Sequence, residues 1–144
     1  MKTIVVGIDG SAGSVRALEF ALAEARLRGS KLKAVEVWHI PASVYSGGGL
    51  APVVTDPDEF EGFAKERLDE VLQSVAAQAE GVEVERIVRE GQPAEVLVEA
   101  AEDAELLVVG SRGLGGFRGL LLGSVGQQCA HHARCPVVIV PKAT

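Results

Sequence analysis

Short aliphatic runs alternate with helical patterns along this chain, and that alternation restricts the fold more than any other feature. Thr3–Ile8, TIVVGI, is a β-branched run ending at Asp9-Gly10, and it reads as a buried strand followed by a turn. Val15, Leu18, Leu22 and Ala25 then recur at helical spacing, with Arg16, Glu19, Glu24, Arg26 and Arg28 mostly off that stripe. Ser11 or Ser14 is the candidate N-cap, and Gly29 ends the helix. Lys31–Ile40 reads as a second strand, stopped by Pro41. A long helix is expected from about Asp58 to Ala79, with Ala64, Leu68, Val71, Leu72, Val75 and Ala79 inward and Gly81 as its terminator.

Val82–Arg89 alternates imperfectly with charges, which suits a strand near a sheet edge. Pro93 fits the first turn of a helix running to about Ala101, with Val96, Leu97 and Ala100 inward. Leu106–Gly110 is the fourth strand, Ser124–Ala133 the last helix and Pro136–Val140 the last strand. The order β-α-β-α-β-α-β-α-β implies parallel strands joined by right-handed crossovers, with helices on both faces. The expected architecture is α/β: one three-layer domain over residues 1–144, with five parallel strands and four helices.

Composition supports this and removes several functions. At 144 residues and 47% hydrophobic, the chain buries a core without staples. Aromatics are only 4%, so Val, Leu, Ile and Ala must pack it, as in parallel sheets covered by helices. A net charge of −6 argues against nucleic acid as a partner. Two cysteines, Cys129 and Cys135, make no disulfide framework. The N-terminus shows no signal-peptide pattern, and no apolar run approaches the roughly 18 residues of a membrane span. A cytoplasmic protein with no membrane partner is expected.

The chemistry concentrates in Leu106–Val125, LLVVGSRGLGGFRGLLLGSV. Glycine permits φ > 0 and lets backbone N–H groups approach a ligand closely. Successive N–H groups in such turns form an anion-binding nest, and a helix starting near Ser124 aims its N-terminus at the same place. A plain glycine-rich surface loop is the alternative. G-x-x-x-x-G-K-[ST] is absent, and G-x-G-x-x-G fails because Arg118 stands at its third glycine. If strands one and four are neighbours, Asp9-Gly10-Ser11 and Gly110 meet where strand order reverses, which is where such sheets bind ligands.

The spacing that does stand is Gly110-x2-Gly113-x9-Gly123-Ser124. It resembles the universal stress protein family in its ATP-binding branch. The opening IVVGIDGSAGSVRALEFAL and the ending CPVVIVP resemble the family's first strand, Asp turn, first helix and last strand. The resemblance covers the whole chain. It implies a Rossmann-like nucleotide-binding fold with sheet order 3-2-1-4-5 and an adenine nucleotide held by Gly110, Gly113, Gly123, Ser124 and Val125. Asp9 matches the acid beside the nucleotide, where it would hold Mg2+ or bind ribose or adenine; its alternative role is a turn-capping aspartate. Ile8 and Gly10 would flank it with backbone contacts. Val37 aligns with the apolar residue beside adenine, though plain core is its alternative. Arg112 and Arg118 are candidates for phosphate oxygens. Family members often carry Ser or Thr where this chain has Gly126, so that hydroxyl is missing.

The resemblance further implies an ATP-binding stress-response switch, AMP or ADP being alternative ligands, with at most slow hydrolysis or self-phosphorylation. It implies a homodimer through strand 136–140 and a protein partner yet to be identified. The residues leave two other classes open: a small α/β nucleotide hydrolase or adenylyl-transfer enzyme, and a flavodoxin-like electron carrier, which the scarcity of aromatics disfavours. The loop Pro41–Pro57 reads as a nucleotide lid or as a simple connection. Cys129-x-His131-His132-x2-Cys135 invites a zinc reading, but adjacent histidines on a helix diverge by about 100°, and core packing suits the cysteines better.

Overall fold

The computed structural model describes residues 2–39, 56–111 and 124–141. Arg112, Gly113, Arg118 and Gly123 lie outside the described residues, as does the expected loop Pro41–Pro57 except for its last two residues, Asp56 and Pro57.

Five strands form one parallel sheet: β1 (Thr3–Ile8), β2 (Lys31–Trp38), β3 (Val84–Glu90), β4 (Leu106–Gly110) and β5 (Val137–Val140). Their order is β3-β2-β1-β4-β5, so the chain reverses direction across the sheet between β1 and β4. Residues at even positions of β1, β2 and β4 face one side, and odd positions face the other. The helices are α1 (Ala12–Arg28), α2 (Pro57–Ser74), α3 (Ala76–Ala79), α4 (Pro93–Ala100) and α5 (Ser124–His132).

Ile4, Val6, Leu32, Leu106 and Val108 pack against α1 and α2 through Leu18, Leu22, Leu68 and Leu72. Burial of each such leucine contributes roughly 1.5–3 kcal/mol. Val5, Val35, Leu107 and Val109 pack against Leu97 of α4 and Cys129 of α5 on the other side.

Helix ends follow local chemistry. Ser11 is the N-cap of α1, its hydroxyl accepting the Ser14 N–H at 3.1 Å. Gly29 closes the helix at φ +65°, a conformation that only glycine adopts at no cost. Asp56 caps α2 by accepting the Asp58 N–H at 2.9 Å, ahead of Pro57 in the first turn.

The helix expected to run unbroken from Asp58 to Ala79 is two segments, because Val75 leaves helical geometry at φ −117° and ψ 22°. The described residues therefore hold five helical segments where four helices are expected. Arg26 of α1 explains how the shorter segment is held: its guanidinium donates to the carbonyls of Gln78 and Glu80 at 2.6 and 2.7 Å, satisfying helix-end acceptors. β3 begins two residues later than expected, at Val84, and it is an edge strand as its mixed pattern predicts.

Candidate functional site

Strand β1 runs out at Ile8, and Asp9, Gly10 and Ser11 carry the chain over the sheet end into α1. Gly10 takes φ +83°, a left-handed value that penalises any residue with a Cβ. An Asx turn fixes this corner: Asp9 Oδ1 accepts the Ser11 N–H at 2.9 Å. Beneath it, the buried Ser14 hydroxyl accepts the Asp9 N–H at 3.3 Å and donates to the Ser11 carbonyl at 2.9 Å. Its donor and an acceptor site are both used, which is what its burial requires. The first turn of α1 holds no acidic residue of its own, so Asp9, just ahead of the N-cap, is the carboxylate that faces the positive end of its dipole.

A crevice opens at the carboxyl ends of β1, β2 and β4, on the side covered by α4. It encloses about 530 Å³ including its open mouth. Gly7 and Val35 are register neighbours in its floor, and Val37, Val109 and Leu97 complete an apolar slot. Asp9, Ser11 and Ser14 supply its polar rim, and Val125 of α5 meets it from the side of β4. The missing side chain at Gly7 keeps the slot open: a Cβ there would lie 2.8 Å from Leu97 Cδ1. Apolar walls with a few converging polar groups are the usual composition of a small-molecule site.

Of the residues singled out in the sequence, Ile8, Asp9, Val37, Gly110 and Val125 border this one crevice. Ile8 belongs to the core on the opposite side of the sheet, so its main chain is what it offers here. Gly10 sits in the adjoining turn. Ser124 is the exposed first residue of α5, next to Val125. Gly110 has a packing reason of its own: a Cβ there would lie 2.9 Å from the Gly13 carbonyl oxygen, so glycine is what lets α1 approach the end of β4.

Asp9 is the one carboxylate among the described residues lining the crevice. No group of three or more His, Cys, Asp or Glu side chains among the described residues could hold a metal ion unaided. Cys129 is fully buried among the aliphatic residues under α5, and burial, with Cys135 adding to it, pushes its thiol up to about 11. Trp38 stacks on Phe60 of α2 with ring centroids 6.5 Å apart and planes 8° from parallel.

Nothing in the sequence marks Glu36 and Arg67, yet they form the most unusual contact near the site. Glu36 is fully buried in β2, and Arg67 Nε donates to its Oε1. Glu36 Oε2 has no hydrogen-bond partner among the described residues. Burial pushes the carboxyl above the usual glutamate range, Arg67 opposes the shift, and the charge of Asp9 adds to it.

Comparison with known proteins gives this geometry its context. No helix among the described residues is long and apolar enough to cross a membrane. A universal stress protein of Mycolicibacterium smegmatis is 39% identical over 137 residues, 95% of this chain. The chain spans slightly less than half the length of the curated relatives it matches. Two solved structures share the fold from end to end. One is a universal stress protein in complex with cAMP, 32% identical at TM-score 0.64, covering 99% of this chain and 98% of that one. The other is the Archaeoglobus fulgidus universal stress protein in complex with dAMP, 29% identical at TM-score 0.67, covering 96% and 97%. The model of the universal stress protein family matches residues 1–141, and the chain belongs to that family.

Proposed function

We propose that the crevice binds an adenine nucleotide, ATP in the first place, and that binding sets a regulatory state in a stress response. The observation that carries this reading is the pairing of an apolar slot (Val35, Val37, Leu97 and Val109) with a polar rim at the point where strand order reverses. The slot suits a purine face, and the Ser11 hydroxyl, the Asp9 carboxylate and the N-terminus of α1 suit ribose and phosphate. The family relatives solved with cAMP and dAMP support an adenine ligand. Asp9 fits a Mg2+ ion, which commonly takes one or two carboxylates and completes its shell with phosphate and water. Ser124, Val125, Gly110, Arg112, Gly113 and Gly123 would hold the phosphates from the side of α5. No second acid or base lines the described crevice beside Asp9, so the reading is of binding more than of turnover.

The test is mass analysis of nucleotide retained through purification, followed by titration with Mg-ATP and with AMP. Saturable binding that weakens about tenfold in Gly113→Ala or Gly123→Ala supports the reading, a loss consistent with strain of roughly 1–3 kcal/mol. Unchanged affinity in both variants overturns the cradle, and rapid release of AMP and pyrophosphate overturns the switch in favour of an enzyme.

The same reading includes a homodimer through β5, antiparallel to its copy. β5 is an edge strand of four aliphatic residues, Val137–Val140, with three of them only half-buried. An edge of that composition gains from pairing. Ile139→Cys should give a crosslinked dimer on oxidation, and a monomer in sedimentation at micromolar concentration would exclude it.

A further inference from the structure

We infer that the Glu36–Arg67 pair positions the Asp9–Ser11 turn, coupling α2 to the rim of the crevice from the opposite side of the sheet. Glu36 is the register partner of Ile8, the residue immediately before Asp9. Its side chain lies with the even-numbered core residues, under α2, while the crevice lies on the odd-numbered side. Arg67 reaches back from α2 to Glu36 and lays its stem against the turn. A Cβ on Gly10 would be only 2.7 Å from Arg67 Cδ and 3.2 Å from Nε. Gly10 therefore serves two needs, its φ of +83° and room for Arg67.

The turn is held from beneath by Ser14 and from the α2 side by Arg67. Arg67 is itself oriented by a carboxylate that is 0% exposed and has one oxygen unpartnered among the described residues. A buried charge with incomplete hydrogen bonding is a poor device for stability alone, since apolar replacements of such pairs are often neutral or better. Its placement beside Gly10 gives it a positional use: it fixes where the arginine stem lies, and the stem covers the turn. Arg67 is a positioning residue, since no contact with the crevice itself is involved.

The inference rests on the nucleotide reading only for its effect on affinity. The Glu36→Leu/Arg67→Met double variant removes charge and partner together and keeps an alkyl stem. Amide exchange at Asp9 and Ser11, both hydrogen-bonded within the turn, should speed up about tenfold relative to β4 amides, and Mg-ATP affinity should fall about tenfold. Arg67→Lys retains stem and charge and should stay within threefold on both measures, whereas Arg67→Gln should follow the double variant. The Lys and Gln pair decides the matter if the double variant fails to fold. Parental exchange at Asp9 and Ser11 in folded Arg67→Gln overturns the inference whatever the nucleotide does. Accelerated exchange in a protein whose parent binds no adenine nucleotide supports the inference and overturns the nucleotide reading instead.

Discussion

The two faces of the sheet end differently at the same strand termini. On the α1 and α2 face the ends are sealed: α1 meets Gly110 through the Gly13 backbone, and Arg67 covers Gly10 above buried Glu36. On the α4 face, among the described residues, they border the crevice, and a Cβ on Gly7 would meet Leu97, with Cδ1 at 2.8 Å and Cδ2 at 3.3 Å, the end of a flexible side chain. Both faces share the Asp9–Ser11 turn. The difference teaches that the crevice is a product of asymmetry. One face immobilises the turn and the other leaves an apolar gap beside it, which is the division of labour a preorganised small-ligand site needs.

The largest expected effect tests the sealed face. Gly110→Ala sets a Cβ 2.9 Å from the Gly13 oxygen and 3.0 Å from its carbonyl carbon. These are backbone atoms and cannot rotate away, so α1 must shift off β4. A loss of about 3 kcal/mol is expected, the upper part of the usual overpacking range, measured by urea denaturation. A loss below about 1 kcal/mol would mean the face is looser than it looks. Next is Arg67→Ala, which leaves Glu36 buried without its partner. Removing one member of a fully buried pair costs roughly 3–5 kcal/mol, and the Arg67 side chain is 39% exposed. A cost of about 2 kcal/mol is therefore expected, again by denaturation.

How much of this was legible in the sequence follows from which interactions are local. The strand and helix order could be read because TIVVGI, LLVVG and the leucine stripes carry their own periodicity. The Asp9 turn was legible for the same reason, since its Ser11 and Ser14 contacts span at most five residues. Glu36 was not, since a lone carboxylate in a strand usually points to solvent. Its partner lies 31 positions away, and only the packing of α2 on β2 brings it close. The break at Val75 was equally hidden, because Val71, Leu72, Val75 and Ala79 keep the helical stripe across it. The motif spacing marks Gly110 as a ligand contact, and the structure adds a reason that spacing alone does not carry, close approach to α1.

The open face gives a smaller effect on stability and a separate one on binding. In Gly7→Ala the new methyl displaces Leu97, which can turn into the crevice or away from it. Stability should change by about 1 kcal/mol or less, because replacing a strand glycine also recovers some backbone entropy. Affinity for Mg-ATP should fall about tenfold, read by calorimetric titration. Equal loss of stability and binding would erase the distinction between the faces. Parental affinity would show that the slot lined by Val35, Val37 and Leu97 is not where the ligand sits.

The smallest effect is a slope with pH, and it tests whether the sealed face holds its charge at a cost. Glu36 titrates above the usual glutamate range in the folded chain, chiefly through burial and against the pull of Arg67. A carboxyl whose folded pKa exceeds its unfolded one, near 4.3, binds its proton more tightly when folded. Its contribution to stability is complete below the unfolded value and is lost as pH rises through the folded one. The parent should therefore lose Glu36-linked stability over a window that opens at about pH 4 and closes above the raised folded value. Glu36→Gln cannot titrate, so its stability relative to the parent should improve as pH rises across that window, measured by urea denaturation at both ends. A relative stability that instead worsens with pH would mean that Arg67 outweighs burial, and that the pair stabilises the fold as well as orienting the turn.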